Sequence, residues 1–401
     1  METRKISKVA LLFRYGLAEH VDFLPALPQL IRKLNERGME VHHFGFRSEC
    51  PLSSELRGQV RVHEGLFRVR RASEWDKRVK ALLWLLGLPF LGWRLQRQGF
   101  ERVFVDETLP LSAPLLRMGF RGKLMFTVHD FFIEIYWEPQ AHLRGLGRVV
   151  QAWDLHAWRK LTGIFTRVDA AREHLISKGV DADRIAVVPD PVDLQLFHPL
   201  QEAPLRHSFR QRWGIEDGDV VMVHHGIMHP NKGNLFLVEA MDRLRDRFPQ
   251  LKLLLIGDGA EMSLLQENVA EAGLQSRIIL TGWLPGLSDI SVALQASDIG
   301  LVIRKGLPGD HFHVTSTLVH NMACGLPIVA ARLKGVAGVV EEGAQGWMFE
   351  PEDAESFDAQ LTRLIEDPKA CERMGKAARQ KAEDCFDPEG IAEEYCRWLC
   401  E

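Results

Sequence analysis

Cysteine is scarce and never arranged as Cys-x-x-Cys. The 401-residue chain holds six, Cys50, Cys324, Cys371, Cys385, Cys396 and Cys400, scattered except near the end. That usage excludes a disulfide-stapled fold and fits reduced thiols in a cytoplasmic protein. Cys396 and Cys400 share a helix face near Cys385, a spacing read as buried thiols in preference to a metal site. Long apolar runs are also missing. The longest, Ala81 to Trp93, is interrupted by Gly87, Pro89 and Gly92 and falls short of the roughly 20 residues that span a bilayer. Met1 to Lys8 is polar and carries no signal-peptide core, so no membrane span is expected. Nor is there an excess of one charge: 50 basic against 54 acidic residues leave −4, which argues against a protein that coats nucleic acid. The 46% hydrophobic and 26% charged content exclude extended disorder, and at about 150 residues per domain the length suits two to three domains.

What is present is alternation. Short apolar or β-branched runs at 9–13, 40–44, 102–105, 124–128, 163–167 and 185–188 are separated by segments of helical period such as 28–36 and 148–161. This is the pattern of a parallel sheet wrapped by helices. A second series follows at 219–224, 252–256, 277–280, 298–303, 327–330 and 346–349. Two doubly wound units are expected, joined by a linker in 189–210, where Pro189, Pro191, Pro199 and Pro204 break periodicity. Beyond Pro351 the segments 354–365, 369–384 and 388–400 read as helices, the last able to cross back and brace the first unit. Ligands of open α/β sheets bind outside the carboxyl ends of the strands, so a cleft between the units is the expected site.

Several residues at those ends could do chemistry. Strand 219–224 runs into His225-Gly226-Ile227-Met228-His229-Pro230-Asn231-Lys232-Gly233 and then a helix. Gly226 and Lys232 are candidates for holding a diphosphate, since free N–H groups and an ammonium converge at such a helix start; a solvated surface lysine is the alternative. The spacing is not that of a P-loop. Thr315, Ser316 and Thr317 precede the helical run 318–323 and form either a second anion site or an ordinary cap. Arg304 and Lys305, at the end of strand 298–303, would neutralise a diphosphate or lie solvated. In the first half, His129-Asp130 ends strand 124–128. The pair could position an acceptor hydroxyl, or Asp130 could cap the next segment. Gly16 would let backbone approach a ligand.

The stretch 57–102 carries eleven basic and four acidic residues interleaved with Trp75, Trp84, Phe90 and Trp93. It reads either as an interfacial patch for anionic lipid or as a solvated basic face over a buried 84–93 core.

Taken in order, the motifs resemble a known family. Val187-Val188-Pro189-Asp190-Pro191-Val192-Asp193 with Phe197 and Pro199, the loop Gly226 to Gly233, Leu255-Ile256-Gly257-Asp258-Gly259, Gly282-Trp283-Leu284 and Met322-Ala323-Cys324-Gly325-Leu326-Pro327 are similar to the motifs of the retaining glycosyltransferases of family 4. The chain departs from that pattern at Ile227, where the family has arginine, and at Phe312 and His320, where it has two glutamates. The resemblance implies an α/β fold class, the GT-B fold: two Rossmann-like doubly wound domains facing across a cleft, with the C-terminal helix crossing back. Residues 1–195 would form the acceptor-side domain, 196–385 the nucleotide-sugar domain and 386–401 the returning helix. It also implies transfer of a sugar, with retention, from a nucleoside diphosphate sugar to a hydroxyl acceptor, soluble or lipid-linked, in glycan or glycolipid biosynthesis. Catalytic candidates are His129, Asp130 and Lys232; donor-binding candidates are Gly16, Gly226, Lys232, Arg304, Thr315, Ser316, Thr317 and His320. No metal or other cofactor is expected, because the segments supply cations and helix ends but no carboxylate cluster. The expected partners are the donor, the acceptor and an anionic membrane surface, with no nucleic acid; the expected location is cytoplasmic, including the inner face of the membrane. The departures keep two alternatives open: a catalytically silent GT-B protein that binds a glycan or partner enzyme, and a nucleotide-sugar epimerase.

Overall fold

A computed structural model describes residues 7–48, 53–54, 56–68, 74–106, 109–129, 131–199 and 203–401. The chain divides into two compact units, Met1–Pro191 with Pro388–Glu401, and Val192–Asp387. Cys50 and Asp130 lie outside the described residues.

In the first unit, β1 (Ser7–Leu12), β2 (Met39–Arg47), β3 (Arg61–Arg68), β4 (Arg102–Val105), β5 (Lys123–Val128), β6 (Gly163–Thr166) and β7 (Ile185–Val187) form a sheet in the order β3-β2-β1-β4-β5-β6-β7. All neighbours are parallel. Strands covered on both faces read as continuous apolar runs, and Val9 to Leu12 are fully buried. The chain winds outward from β1 through α1 (Leu17–Phe23) and α2 (Leu27–Glu36) to β2. In the other direction it winds through α3 (Glu74–Arg97), α4 (Ser112–Gly119), α5 (Arg144–Trp158) and α6 (Asp169–Ser177). Right-handed crossovers put α3 to α6 on one face of the sheet and α2 on the other. The strand order reverses between β1 and β4, so their carboxyl ends open the crevice where such sheets bind ligands.

The second unit repeats the plan after α7 (Ala203–Arg212). Strands β8 (Val220–His225), β9 (Leu251–Ile256), β10 (Ile278–Leu280), β11 (Ile299–Val302), β12 (Ile328–Ala331) and β13 (Gly346–Phe349) are ordered β10-β9-β8-β11-β12-β13, with the reversal between β8 and β11. Helices α8 (Asn234–Leu244), α9 (Met262–Glu271), α10 (Leu287–Gln295), α11 (Ser316–Ala323), α12 (Lys334–Ala337), α13 (Ala354–Glu366) and α14 (Pro368–Phe386) cover it. The last helix, α15 (Pro388–Cys400), belongs to the first unit, where Ile391, Tyr395, Cys396 and Leu399 share a core with Leu27, Leu30, Ile31 and Leu34 of α2.

Two segments differ from the sequence expectation. The stretch 189–210 is not linker throughout. Pro204 starts α7 without breaking it, as proline does in a first turn, and Arg206 and Arg210 tie the helix to Asp298 at 2.6 and 2.7 Å. Strand β3 has no counterpart in the expected series, because at the edge of the sheet it alternates Arg61-Val62-His63-Glu64 and lacks a buried apolar run.

The turn after β9 approaches the turn after β8 so closely that a Cβ on Gly257, whose φ is +133°, would lie 1.9 Å from the Gly226 carbonyl oxygen. Gly257→Ala is expected to destabilise the chain by about 2–4 kcal/mol. Gly273→Ala, at φ +69° in open space, should cost only about 1 kcal/mol. Equilibrium urea unfolding compares the two; equal effects would show that the 226–257 contact does not hold the turns.

Candidate active site

The reversal point of the second sheet opens into a pocket of about 330 Å³. One wall is the end of β8 with the following loop, His225, Gly226, Ile227 and Lys232; another is the end of β11, Ile303 and Arg304; the floor is the start of α11, Thr315 to His320. Lys232 sits in a single 3₁₀ turn, Pro230–Lys232, before Gly233, whose φ of +80° makes the left-handed corner that starts α8. Burial, with the nearby Arg304 charge, pushes the Lys232 ammonium down to about 8, against an opposite pull from Asp310. Arg304 reaches Asp310 at 3.6 Å, so its charge is partly answered within the protein.

The two anion-binding expectations at α11 separate. Thr315 is the N-cap, its hydroxyl accepting from the Leu318 N–H at 3.3 Å, and Ser316 is exposed at the first helical position. Thr317 donates its hydroxyl proton to the His225 carbonyl at 2.8 Å, so it fastens α11 to the end of β8 and has only lone pairs to offer a ligand. His320 stacks on Phe197 at 3.9 Å and faces His225 at 5.2 Å. Burial pushes His320 down to about 4 and His225 well below the ordinary range, so both are neutral at pH 7. His320 Nδ1 and His225 Nε2 are sealed from solvent, without a hydrogen-bond partner among the described residues. Ile227, Trp283 and Leu287 add a rim that is more than half exposed and apolar.

The first unit builds its own cluster at the β1/β4 reversal. Asp106 directly follows β4 and is buried. Its Oδ1 lies 3.1 Å from His129 Nε2, at the end of β5, and its Oδ2 lies 3.2 Å from His20 Nε2, on α1. Arg167, at the end of β6, approaches Oδ1 at 3.7 Å. The same guanidinium meets Asp190 at 3.0 Å and donates to the Tyr395 hydroxyl of α15 at 2.5 Å. Burial alone would raise the Asp106 pKa, but His129, His20 and Arg167 together hold it well below the usual carboxylate range. Burial works against the Arg167 charge as well, yet Asp190, Tyr395 and Asp106 raise its pKa above the ordinary value.

Among the described residues His129 has Asp106 as a carboxylate partner; the expected pairing with its sequence neighbour Asp130 falls outside the described residues. The signal was available: Asp106 terminates an expected strand as His129 does, but nothing local links two strand ends 23 residues apart. His20, Arg167 and Tyr395 were likewise unmarked. Gly16, expected to admit a ligand, instead lets Ser48 close over the loop after β1, since a Cβ there would lie 2.5 Å from the Ser48 backbone. In the basic stretch the two readings divide by residue: Trp84 is core, while Trp75, Phe90 and Trp93 are exposed.

Comparison with known proteins places both units. The family model for glycosyl transferases group 1 matches residues 206–381, and that for Glycosyltransferase Family 4 matches residues 27–196. A GDP-mannose-dependent alpha-(1-6)-phosphatidylinositol monomannoside mannosyltransferase of Mycolicibacterium smegmatis is 29% identical over 314 residues, 75% of this chain and 77% of that protein. A UDP-Gal:alpha-D-GlcNAc-diphosphoundecaprenol alpha-1,3-galactosyltransferase of Escherichia coli is 28% identical over 272 residues, 66% of this chain and 65% of that one. Among solved structures, Anabaena Alr3699/HepE in complex with UDP superposes with a TM-score of 0.72 at 19% identity, over 98% of this chain and 99% of that chain.

Lys232 carries full charge below about pH 8 and loses it above. Diphosphate affinity is therefore expected to fall roughly tenfold between pH 7 and 9.5, and Lys232→Arg, always charged, should flatten that dependence. Lys232→Ala should weaken UDP or GDP binding by about 1.5–3 kcal/mol. Titration calorimetry on folded variants reads both effects, and an unchanged affinity in Lys232→Ala would remove Lys232 from the site.

Proposed function

The chain belongs to the glycosyltransferases of the GT-B fold, and from that membership we propose that it moves a sugar, with retention, from a nucleoside diphosphate sugar to a lipid-linked hydroxyl acceptor. The observation that carries the donor half is the β8/β11 pocket. It sets Lys232 and Arg304 beside the start of α11 beneath an apolar rim. A departing nucleoside diphosphate develops negative charge, which fixed cations and free helix N–H groups stabilise. The rim, Trp283 above all, offers a flat surface to a base. Neutral His320, where the family has glutamate, offers a ribose one donor and one acceptor. On the acceptor side, His129 is the group that would meet a hydroxyl. No metal enters this scheme.

A lipid-linked acceptor is supported by the names of the two relatives, each built on a lipid carrier, and by α3. Among the described residues no helix is long and apolar enough to cross a membrane. Yet α3 is apolar on both sides. Trp84, Leu88 and Leu95 face the core, while Trp75, Leu86, Phe90 and Trp93 are 75%, 69%, 66% and 46% exposed. Leu146, Val149 and Trp153 make a second exposed stripe on α5, on the same side of the sheet. Exposed Arg78, Arg94, Arg97, Arg144 and Arg148 accompany them. An apolar patch of this extent marks an interaction surface, and the basic companions select an anionic membrane face.

Purified protein should bind one of UDP, GDP and ADP and transfer label from the matching sugar nucleotide at a rate unchanged by EDTA. Binding of none would favour the silent GT-B reading, and an EDTA-sensitive rate restored by magnesium would overturn the metal-free scheme.

Each basic residue near an anionic surface is worth about 1 kcal/mol, screened over about 8 Å at physiological salt. The protein should therefore float with anionic vesicles and not with neutral ones, and Phe90→Asp with Trp153→Asp should abolish this. No flotation at low salt, or self-association through α3 in its place, would sink the membrane assignment.

A further inference from the structure

We propose that Cys396, Cys400 and Met39 form a binding site for a soft monovalent metal ion, copper(I), at the seam between α15 and the start of β2. The site stands apart from sugar transfer and does not depend on it.

Cys396 and Cys400 are one turn apart on α15 and share the face that joins the core with α2. Their sulfurs lie 3.8 Å apart. Each at a metal–thiolate distance of roughly 2.3 Å, they would subtend an angle of about 110° at one ion. That bend leaves a position for a further donor. Met39, the first residue of β2, supplies it: its Sδ lies 3.7 Å from Cys400 Sγ, the spacing that two donors of such an ion have. Cys396 and Met39 are buried and Cys400 partly so.

The donor types select the metal. Among the described residues no histidine, aspartate, glutamate or further cysteine completes a three-ligand set with the two thiols. The nitrogen and oxygen donors that favour zinc, magnesium or manganese are therefore missing. Two thiols and a thioether are the soft set that copper(I) takes.

The turn that brings in Met39 also brings a charge. Arg37 donates to Cys396 Sγ and pairs with Glu393, which in turn meets Lys33 at 3.2 Å. Burial and the neighbouring Cys400 push the Cys396 thiol up to about 12, against the pull of Arg37. This sulfur therefore keeps its proton until an ion displaces it. On binding, each S–H bond breaks, its electron pair goes to the ion and its proton to water, and copper keeps its oxidation state. One positive charge enters and two leave, and the single negative charge that results faces the Arg37 guanidinium.

The test is an anaerobic titration of the reduced full-length chain with copper(I) against the coloured chelator bathocuproine disulfonate. The wild type should withdraw one equivalent, more tightly as pH rises, and X-ray absorption at the copper edge should show sulfur donors only. Cys400→Ala should lose that equivalent. Met39→Leu, which keeps the apolar volume, and Arg37→Gln should each weaken binding about tenfold. Circular dichroism checks that each variant is folded. No withdrawal by the wild type, or nitrogen and oxygen donors around its copper, would overturn the site without recourse to any variant. Wild-type affinity in folded Cys400→Ala would assign the copper to other thiols, and wild-type affinity in Met39→Leu would remove the third sulfur; either would also overturn it.

Discussion

The first unit depends on keeping one carboxylate ionised where water does not reach. Removing a charge from water costs several kcal/mol, and only close, well-aimed partners offset it. Asp106 meets that requirement with two imidazole N–H groups and a guanidinium, and the guanidinium meets its own with Asp190, Tyr395 and the Val188 carbonyl at 3.3 Å. These partners come from α1, the ends of β4, β5 and β6, the segment after β7 and α15. Satisfying a single buried charge therefore fixes the mutual placement of most of the elements that border the reversal point.

The second unit uses the opposite electrostatics at the same topological position. The buried histidines at its pocket, His224, His225 and His320, are neutral through burial. The charge that faces the pocket is Lys232 beside a partly answered Arg304. One crevice is organised around a buried anion and the other around cations.

The parallel strands were legible because burial on both faces leaves continuous apolar runs, as in 9–12 and 253–256, and strand ends then located Lys232, Arg304 and His129. What escaped were features defined by partners distant in sequence. Asp106 and His20 acquire meaning only when β1, β4 and β5 become neighbours. Thr317 looked like an anion ligand because its bond to the His225 carbonyl spans 92 residues. Strand β3 and helix α7 were missed for a different reason: an edge strand and a surface helix rich in arginine have little apolar periodicity to display.

The placement of α15 has a consequence in time. The first unit is discontinuous, its chain leaving at Pro191 and returning at Pro388, whereas the second is one uninterrupted segment. During synthesis from the amino end, the outer face of α2 stays without its cover, and Arg167 without the Tyr395 hydroxyl, until α15 has been made. The second unit has all of its residues before that moment. The unit that begins translation first is thus completed after the second, and a ribosome that stops before α15 releases a finished second unit attached to an unfinished first.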